Sequence, residues 1–307
     1  MAAPLLSIIT VCRNLAGEIE PTCRSVVGQD WQDFEWIVVD GASTDGTLDV
    51  LENHRDRIDT LVSEPDAGPY DAMNKGIAAA KGEYCLFLNG GDRLFDAAVL
   101  AMVFGNVGRH ADILYGDEYR ADGEGRIFAS WIMPPPGEVD KLFFVADTLR
   151  HQSTFIKRGL FARCGAYDTR FGIVADLEKW IVFLENGCVF EKLGFPVSVF
   201  RMGGLSSSKR QHDKHKAERA LVLAAHLTDE EIAEGMKRHR QRSGYRTVRE
   251  FGTWFGPSVY AVRETLDGSK RKHLVFGVPV LKAKRIGAGW WKHLLFSFIP
   301  AGESRET

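Results

Sequence analysis

The sequence contains no apolar run of the roughly 18–20 residues that a membrane-spanning helix needs. Its five cysteines are odd in number and show no CxxC spacing, which argues against a disulfide framework and a zinc site and favours reduced thiols in the cytosol. The apolar start Pro4–Cys12 is short and has no basic leader, so we expect a buried strand there and not a signal peptide. No GxGxxG pattern follows it, which argues against a dinucleotide-binding oxidoreductase.

Charge is unevenly distributed along the 307 residues, although the formal net charge is only -2. Residues 1–200 contain 18 Lys and Arg against 30 Asp and Glu, whereas residues 201–307 contain 21 against 11. Such asymmetry indicates that the two parts of the chain have different partners.

Buried strands alternate with helices in the first hundred residues. Short apolar runs predict strands, and amphipathic segments between them predict helices. The predicted strands are Leu6–Val11, Trp36–Asp40, Ile58–Val62 and Glu83–Leu88. This alternation predicts an α/β fold with a mostly parallel, Rossmann-like sheet flanked by helices. Further strands are expected at 112–115, 127–131, 188–193 and 197–200, and a helix at 175–186.

Polar clusters follow three of these strands, at Arg13-Asn14, at Asp40 to Asp45 and at Asn89 to Asp92. Ligands of open α/β sheets bind beyond the carboxyl ends of the strands. The placement therefore predicts a binding site at that edge of the sheet.

Four segments in order carry a resemblance to a known family: Ser7–Asn14, Val38–Thr47, Ser63–Gly76 and Gly82–Asp92. Together they resemble the family 2 glycosyltransferases, and the third resembles members that act in bacterial exopolysaccharide and surface-glycan assembly. The resemblance covers roughly residues 5–205. It implies a GT-A fold, a nucleotide-sugar donor (usually a UDP-sugar), a divalent cation (Mn²⁺ or Mg²⁺), inversion, and a glycan or polyprenyl-linked acceptor.

The nucleotide-sugar donor is expected to bind at these polar clusters. Asp40 ends a buried strand, where its carboxylate can accept hydrogen bonds from a nucleobase or a ribose. The residues assigned to donor binding, several of them on the resemblance, are Thr10, Arg13, Asp40, Ser43, Asp45, Asn74, Lys75, Asn89, Gly90 and Gly91. The alternative is that residues 41–46 form only a turn, with Thr44 or Asp45 capping the next helix.

Asp92 is the candidate metal ligand, because a divalent cation neutralises a diphosphate leaving group through one or two carboxylates. The family's DxD positions read Asn89-Gly90-Gly91 here, and the carboxylate comes one residue late. Three possibilities remain open: Asp92 reaches the metal, Asn89 and Asp92 hold it through water, or metal is dispensable. A plain surface turn is the alternative to all three.

Asp176 is the candidate catalytic base, since it matches the family position at the start of a helix, and inverting transfer needs a carboxylate to take the acceptor proton. A helix N-terminus would keep that carboxylate ionised. Capping the helix is the alternative role. By the resemblance, His151 and Gln152 lie near the acceptor or the donor diphosphate.

Residues 206–307 are predicted to form a basic extension to a catalytic domain at 1–205. Two helices, 209–226 and one opening at Thr228, precede paired strands indicated by the similar segments 271–279 and 291–300. Basic residues among tryptophans and phenylalanines suit an anionic membrane surface, so we expect a cytoplasmic protein that can sit on the inner face of the membrane. A solvated tail is the alternative, and nucleic acid is not expected. An inactive scaffold that binds a sugar nucleotide is the alternative to an enzyme.

Overall fold

The structure is a computed structural model that describes residues 3–105, 111–203, 209–242 and six further segments. The segments are 245–251, 260–265, 270–275, 278–287, 290–295 and 299–305. The chain divides into two units, 1–229 and 230–307.

The first unit begins with the predicted alternation of strands and helices. The strands are β1 (Leu6–Cys12), β2 (Phe34–Asp40), β3 (Thr60–Ser63) and β4 (Tyr84–Phe87), and the helices are α1 (Glu20–Val27), α2 (Thr47–Glu52) and α3 (Pro69–Ala79). The strands pair in parallel in the order β3-β2-β1-β4. Every residue of β1 and β2 is buried, as expected for central strands of a sheet with helices on both faces.

The rest of the first unit extends this sheet with mixed pairings. Its elements are β5 (Arg93–Leu94), α4 (Val99–Phe104), β6 (Ile113–Ala121), β7 (Ile127–Trp131), β8 (Thr154–Lys157), α5 (Gly159–Cys164), α6 (Ala175–Glu185), β9 (Phe190–Arg201) and α7 (Lys209–His226). The sheet continues β4-β8-β6-β9-β5, with β7 on β6. β8 runs antiparallel to β4, so residues just before β8 meet residues just after β4.

The prediction of two separate strands at 188–193 and 197–200 was wrong, because β9 is one strand through Pro196. Its register with β6 shifts on either side of Asp117. Val197 and the Phe195 carbonyl lie against Gly116, where a Cβ would have no room. These irregularities let one long strand bend along the sheet.

The second unit contains α8 (Asp229–Arg242) and an antiparallel sheet in sequence order. Its strands are β10 (Tyr245–Phe251), β11 (Tyr260–Thr265), β12 (Lys270–Val275), β13 (Val278–Gly287), β14 (Trp290–Leu295) and β15 (Ile299–Arg305). The described parts of the two similar segments lie on the pairs β12–β13 and β14–β15.

Candidate functional site

The predicted polar clusters meet at one edge of the first sheet. β1 and β2 end side by side at Cys12 and Asp40, which are paired in register. β4 ends at Phe87, and the antiparallel β8 starts at Thr154. Residues 13–14, 40–46, 88–92 and 150–153 therefore share this edge.

The turn after β2 is braced by its own carboxylate. Asp40 is fully buried, and its Oδ2 accepts hydrogen bonds from Ser43 N at 2.9 Å and Ser63 Oγ at 2.7 Å. Its Oδ1 accepts from the Ser43 hydroxyl. These donors occupy both oxygens, so Asp40 fixes the turn in this structure, and its contact with a donor stays a prediction.

Other predicted donor residues also carry structural bonds here. Thr10 is fully buried and its hydroxyl accepts from Trp36 Nε1 at 3.0 Å. Asp45 accepts from Ala16 N and Thr47 N, both at 3.0 Å, and so fixes the turn before α2, whose N-cap residue is Gly46. Their donor contacts likewise stay predictions.

Gly41 brings Asp66 into this edge, a residue that the sequence did not single out. A Cβ built on Gly41 would lie 2.3 Å from Asp66 Oδ2 and 3.2 Å from Arg13 Cδ. The exposed Arg13 and the half-buried Asp66 thus close over the end of β2.

On α3, Asn74 and Lys75 point to different neighbours. Asn74 exchanges two hydrogen bonds with the backbone of Tyr167, at 2.8 and 2.9 Å. Lys75 forms an ion pair with Glu64 at 2.7 Å. Both residues tie α3 to adjacent loops.

The packing and the backbone conformation of the Asn89–Asp92 turn require its two glycines. A Cβ at Gly90 would lie 2.6 Å from Leu15 Cδ1, and Gly91 has a φ of 97°. Gly91 N donates to Thr22 Oγ1 at 2.9 Å, and the Thr22 hydroxyl donates to the Asp92 carbonyl at 2.6 Å. The turn is therefore fixed against α1.

Asp92 is 4% exposed. Burial raises the pKa of its carboxyl to about 7, although a hydrogen bond from Arg201 N and the charge of His151 lower it. Oδ1 accepts that bond from Arg201 N at 3.0 Å. A buried carboxyl with a pKa near neutrality is typical of functional sites.

Asn89 and Asp92 offer oxygen donors of the kind that Mg²⁺ and Mn²⁺ take. The Asn89 Oδ1 atom is buried and has no hydrogen-bond partner within the described part of the chain. No group of three or more His, Cys, Asp or Glu side chains that could hold a metal occurs among the described residues. The two donors fit a cation that phosphate oxygens complete, and they do not form a closed protein cage.

Asp176, the second residue of α6, is joined to His151 and Tyr70. His151 Nδ1 lies 3.3 Å from Asp176 Oδ2, and Tyr70 donates its hydroxyl proton to Oδ1 at 3.0 Å. His151 Nε2 lies 3.0 Å from Asn89 Nδ2. Because the carboxylate can only accept, His151 Nδ1 donates to Asp176, and Nε2 faces the side-chain amide of Asn89.

These bonds decide the ionisation of Asp176, whose side chain is 14% exposed. Burial would raise the pKa of the carboxyl, but the hydrogen bond and charge of His151 and the hydrogen bonds from Tyr70 and Leu177 N outweigh it. The pKa therefore lies below its usual range. Asp176 is poised as an ionised carboxylate beside the turn that ends β4.

Gln152 directly follows His151 in the sequence and is 3% exposed. Its amide donates to Glu118 Oε2, and Arg120 Nε donates to Glu118 Oε1 at 3.3 Å. Arg120 and Arg150 both stack on Trp131, at 4.7 and 4.6 Å from the ring centre.

Helix α7, which the sequence assigned to the basic extension, holds both sides of the site. Glu218 is buried and accepts from the backbone N–H groups of residues 172–174, at 2.8 to 3.3 Å. Arg219 donates to the carbonyls of Phe144, Val145 and Asp147. One loop leads into Asp176 and the other into His151, so α7 packs with the same unit as the His151–Asp176 pair.

Sequence comparison identifies the class of protein that this fold and site define. The profile of glycosyl transferase family 2 matches residues 7–160. The chain belongs to this family and is a sugar-transferring enzyme, which removes the scaffold alternative. It is similar to the PGL/p-HBAD biosynthesis glycosyltransferase of Mycobacterium tuberculosis, with 34% identity over 216 residues covering 68% of this chain and 81% of that protein.

Solved structures show the same fold. S. aureus TarS (residues 1–349) in complex with UDP-GlcNAc is 19% identical, with a TM-score of 0.57, covering 77% of this chain and 72% of TarS. The mannosyltransferase PcManGT from Pyrobaculum calidifontis, in complex with GDP-Man and Mn²⁺, is 21% identical, with a TM-score of 0.52, covering 74% and 64%. The predicted GT-A fold class is confirmed. Within the part of the chain that is described, no helix has the length and apolarity of a membrane span.

Proposed function

We propose that the enzyme transfers a sugar from a nucleotide-sugar donor, a UDP-sugar, to an acceptor hydroxyl with inversion. The observation that carries this is the meeting of Asp176, His151 and the Asn89–Asp92 turn. The base and the diphosphate end of a donor must lie on opposite sides of one sugar for in-line displacement.

In this mechanism Asp176 takes the proton of the acceptor hydroxyl as that oxygen attacks the anomeric carbon. The bond from this carbon to the diphosphate oxygen breaks, and the nucleoside diphosphate leaves with the bonding electrons. His151 and Tyr70 hold the carboxylate ionised and oriented, which a general base requires.

Donor binding is assigned to the edge formed by Arg13 and the turn 40–46, with Gly90 and Gly91 closing the diphosphate side. Thr10, Asp40, Ser43 and Asp45 support this edge through the hydrogen bonds described above, and Asn74 and Lys75 fix α3 beneath it. The bound nucleotide sugars of TarS and PcManGT support the donor class.

A divalent cation would be held by Asp92 and the unpartnered Asn89 Oδ1. When bound, it supplies charge neutralisation to the diphosphate leaving group. The Mn²⁺ in the PcManGT complex supports this choice.

The acceptor is proposed to be a glycan or a polyprenyl-linked intermediate at the inner, cytoplasmic face of the membrane. In the second unit, Lys270 is paired with Lys284 and Lys272 with Lys282. A cluster of basic residues of this kind attracts anionic lipids. Replacing these four lysines by glutamine in the full chain should abolish flotation with phosphatidylserine vesicles while transfer to a soluble acceptor persists.

The function is tested by screening nucleotide sugars for hydrolysis and transfer. Wild type should act on one or a few of them, and Asp176→Asn should lose at least about 100-fold in kcat, in the range that proton transfer contributes. Asp168→Asn is the matched control, since Asp168 pairs with the exposed Arg170. Retained activity in Asp176→Asn, or retention of anomeric configuration by NMR, would refute the mechanism.

A further inference from the structure

We propose that Arg150 forms a subsite for a phosphate oxyanion beside the catalytic pair. The proposal rests on the glycosyl transfer proposed above, which brings phosphate to this edge on the donor and on a lipid-linked acceptor. Neither the motifs nor the resemblance singled out this residue.

The sheet topology places Arg150 at the edge of the sheet that carries the proposed site. It precedes His151 directly and stands just before β8, which runs antiparallel to β4. The residues that follow β4 form the Asn89–Asp92 turn, and His151 contacts Asn89. Arg150 therefore lies at the same edge of the sheet as the groups assigned to the diphosphate and the acceptor.

The guanidinium of Arg150 is largely buried and has no hydrogen-bond partner among the residues that the structure describes. The side chain is 22% exposed, and its Nε atom is buried without an acceptor. Glu118 Oε1 lies 3.9 Å from Nε, beyond hydrogen-bond distance. A largely buried guanidinium whose N–H groups have no acceptor is costly, so although Glu118 balances part of its charge, a hydrogen-bonding anion would complete it.

The neighbouring Arg120 packs on the same tryptophan ring as Arg150 but has a hydrogen-bond acceptor. Both guanidinium groups stack on Trp131, yet Arg120 donates to Glu118 at 3.3 Å. Gln152 donates to the other oxygen of Glu118. With that carboxylate already engaged, the planar fork of Arg150 remains available, and its geometry matches two oxygens of a phosphate.

Trp131 also fixes the direction of the fork. Stacking on the ring holds the guanidinium plane, so less side-chain entropy is lost on binding. Burial lowers the pKa of Arg150, and the charges of Glu118, Asp147 and Asp176 offset part of this, while an arginine stays protonated in proteins. A phosphate would therefore bind a positively charged guanidinium that Trp131 already orients.

The test compares Arg150→Met with Arg120→Met by calorimetry on the full chain. The probes are inorganic pyrophosphate, UDP and uridine. Loss of a charge-assisted hydrogen-bonding pair corresponds to about 10- to 100-fold weaker binding. We expect that loss for Arg150→Met and a much smaller one for Arg120→Met. Arg150→Lys should be intermediate and serves as the readout if the methionine variant does not fold.

The two phosphate sources give different patterns. If Arg150 binds the donor diphosphate, Arg150→Met weakens UDP and leaves uridine unchanged. If it binds an acceptor phosphate, UDP is unchanged, and pyrophosphate binding in the presence of saturating UDP is weakened. Unchanged affinity in both arms would overturn the subsite. A wild type that binds no nucleotide would refute the proposed function, while the pyrophosphate measurement would still decide the role of Arg150.

Discussion

His151 and Asp176 are joined by a hydrogen bond of 3.3 Å between Nδ1 and Oδ2, and the opposite ring nitrogen contacts Asn89. The imidazole thus connects the proposed base with the turn proposed to hold the donor diphosphate. Since one bond orients the carboxylate and the other orients the turn, a change at either end should be felt at the other.

Removing a hydrogen bond from Asp176 should change the pH dependence of transfer. The Tyr70 hydroxyl favours the ionised carboxylate, so Tyr70→Phe should raise the pKa of Asp176 and move the acidic limb of the kcat/KM profile to higher pH. The matched control is Tyr167→Phe: the Tyr167 ring lies 5.3 Å from that of Tyr70, and its hydroxyl has no hydrogen-bond partner among the described residues. An identical acidic limb in wild type and Tyr70→Phe would argue against Asp176 as the base.

Glu218 should act on catalysis through position. Glu218→Ala removes the acceptor for three backbone N–H groups ahead of Asp176, so we expect kcat to fall by about 10-fold or more, since buried N–H groups are left unpaired. The KM for the donor should change little, because residues 172–174 lie outside the proposed donor edge. Lys216→Ala, an exposed change on the same helix, is the control. A rise in donor KM at constant kcat would contradict this role.

Much of the first sheet could be predicted from the sequence. The runs at Leu6–Val11 and Trp36–Asp40 are apolar and continuous, and they form the buried centre of the sheet. Local patterns carried this information because a strand that is buried on both faces must be apolar throughout. β9 was harder, since Gly194 and Pro196 read as a break, while pairing with β6 keeps the strand continuous.

The sequence named candidate residues for the site but not their arrangement. Asp176 and Asn89 were named because they match positions of the family, whereas Tyr70 and Glu218 carry no local signal. Tyr70 reaches a carboxylate 106 positions away, and Glu218 caps a loop 44 to 46 positions away. Such contacts arise from the packing of α3, α6 and α7, and no local pattern in the sequence predicts them.

Gly82 should be sensitive to the smallest substitution. A Cβ there would lie 2.5 Å from the backbone nitrogen of Ser7, and Gly82 N donates to Ser7 Oγ and Glu35. We expect Gly82→Ala to destabilise the fold by about 1–3 kcal/mol through overpacking, measured as a lower denaturant midpoint. Gly159→Ala, with no atom within 4 Å of its Cβ, should be neutral or stabilising. Equal midpoints for both variants would contradict the packing.

Asp92 should make the folded protein less stable as pH rises, whereas a carboxylate in an ion pair makes a protein more stable as pH rises. Its pKa is about 7 when folded and about 4 in an unfolded chain. Between these values the folded protein keeps a proton that the unfolded chain has released, so stability falls as pH rises from about 4 to about 7. The full difference amounts to about 4 kcal/mol. Asp92→Asn should remove this slope, which denaturant unfolding at several pH values measures.

The same variant separates a structural carboxyl from a cation ligand. A cation binds the ionised carboxylate, and a smaller fraction of Asp92 is protonated at pH 8 than at pH 6. Mn²⁺ with UDP should therefore stabilise the wild type more at pH 8 than at pH 6. Asp92→Asn should show little Mn²⁺-dependent stabilisation at either pH. If it keeps the wild-type Mn²⁺ response while its pH slope disappears, Asp92 is a buried structural acid, and the cation is held elsewhere.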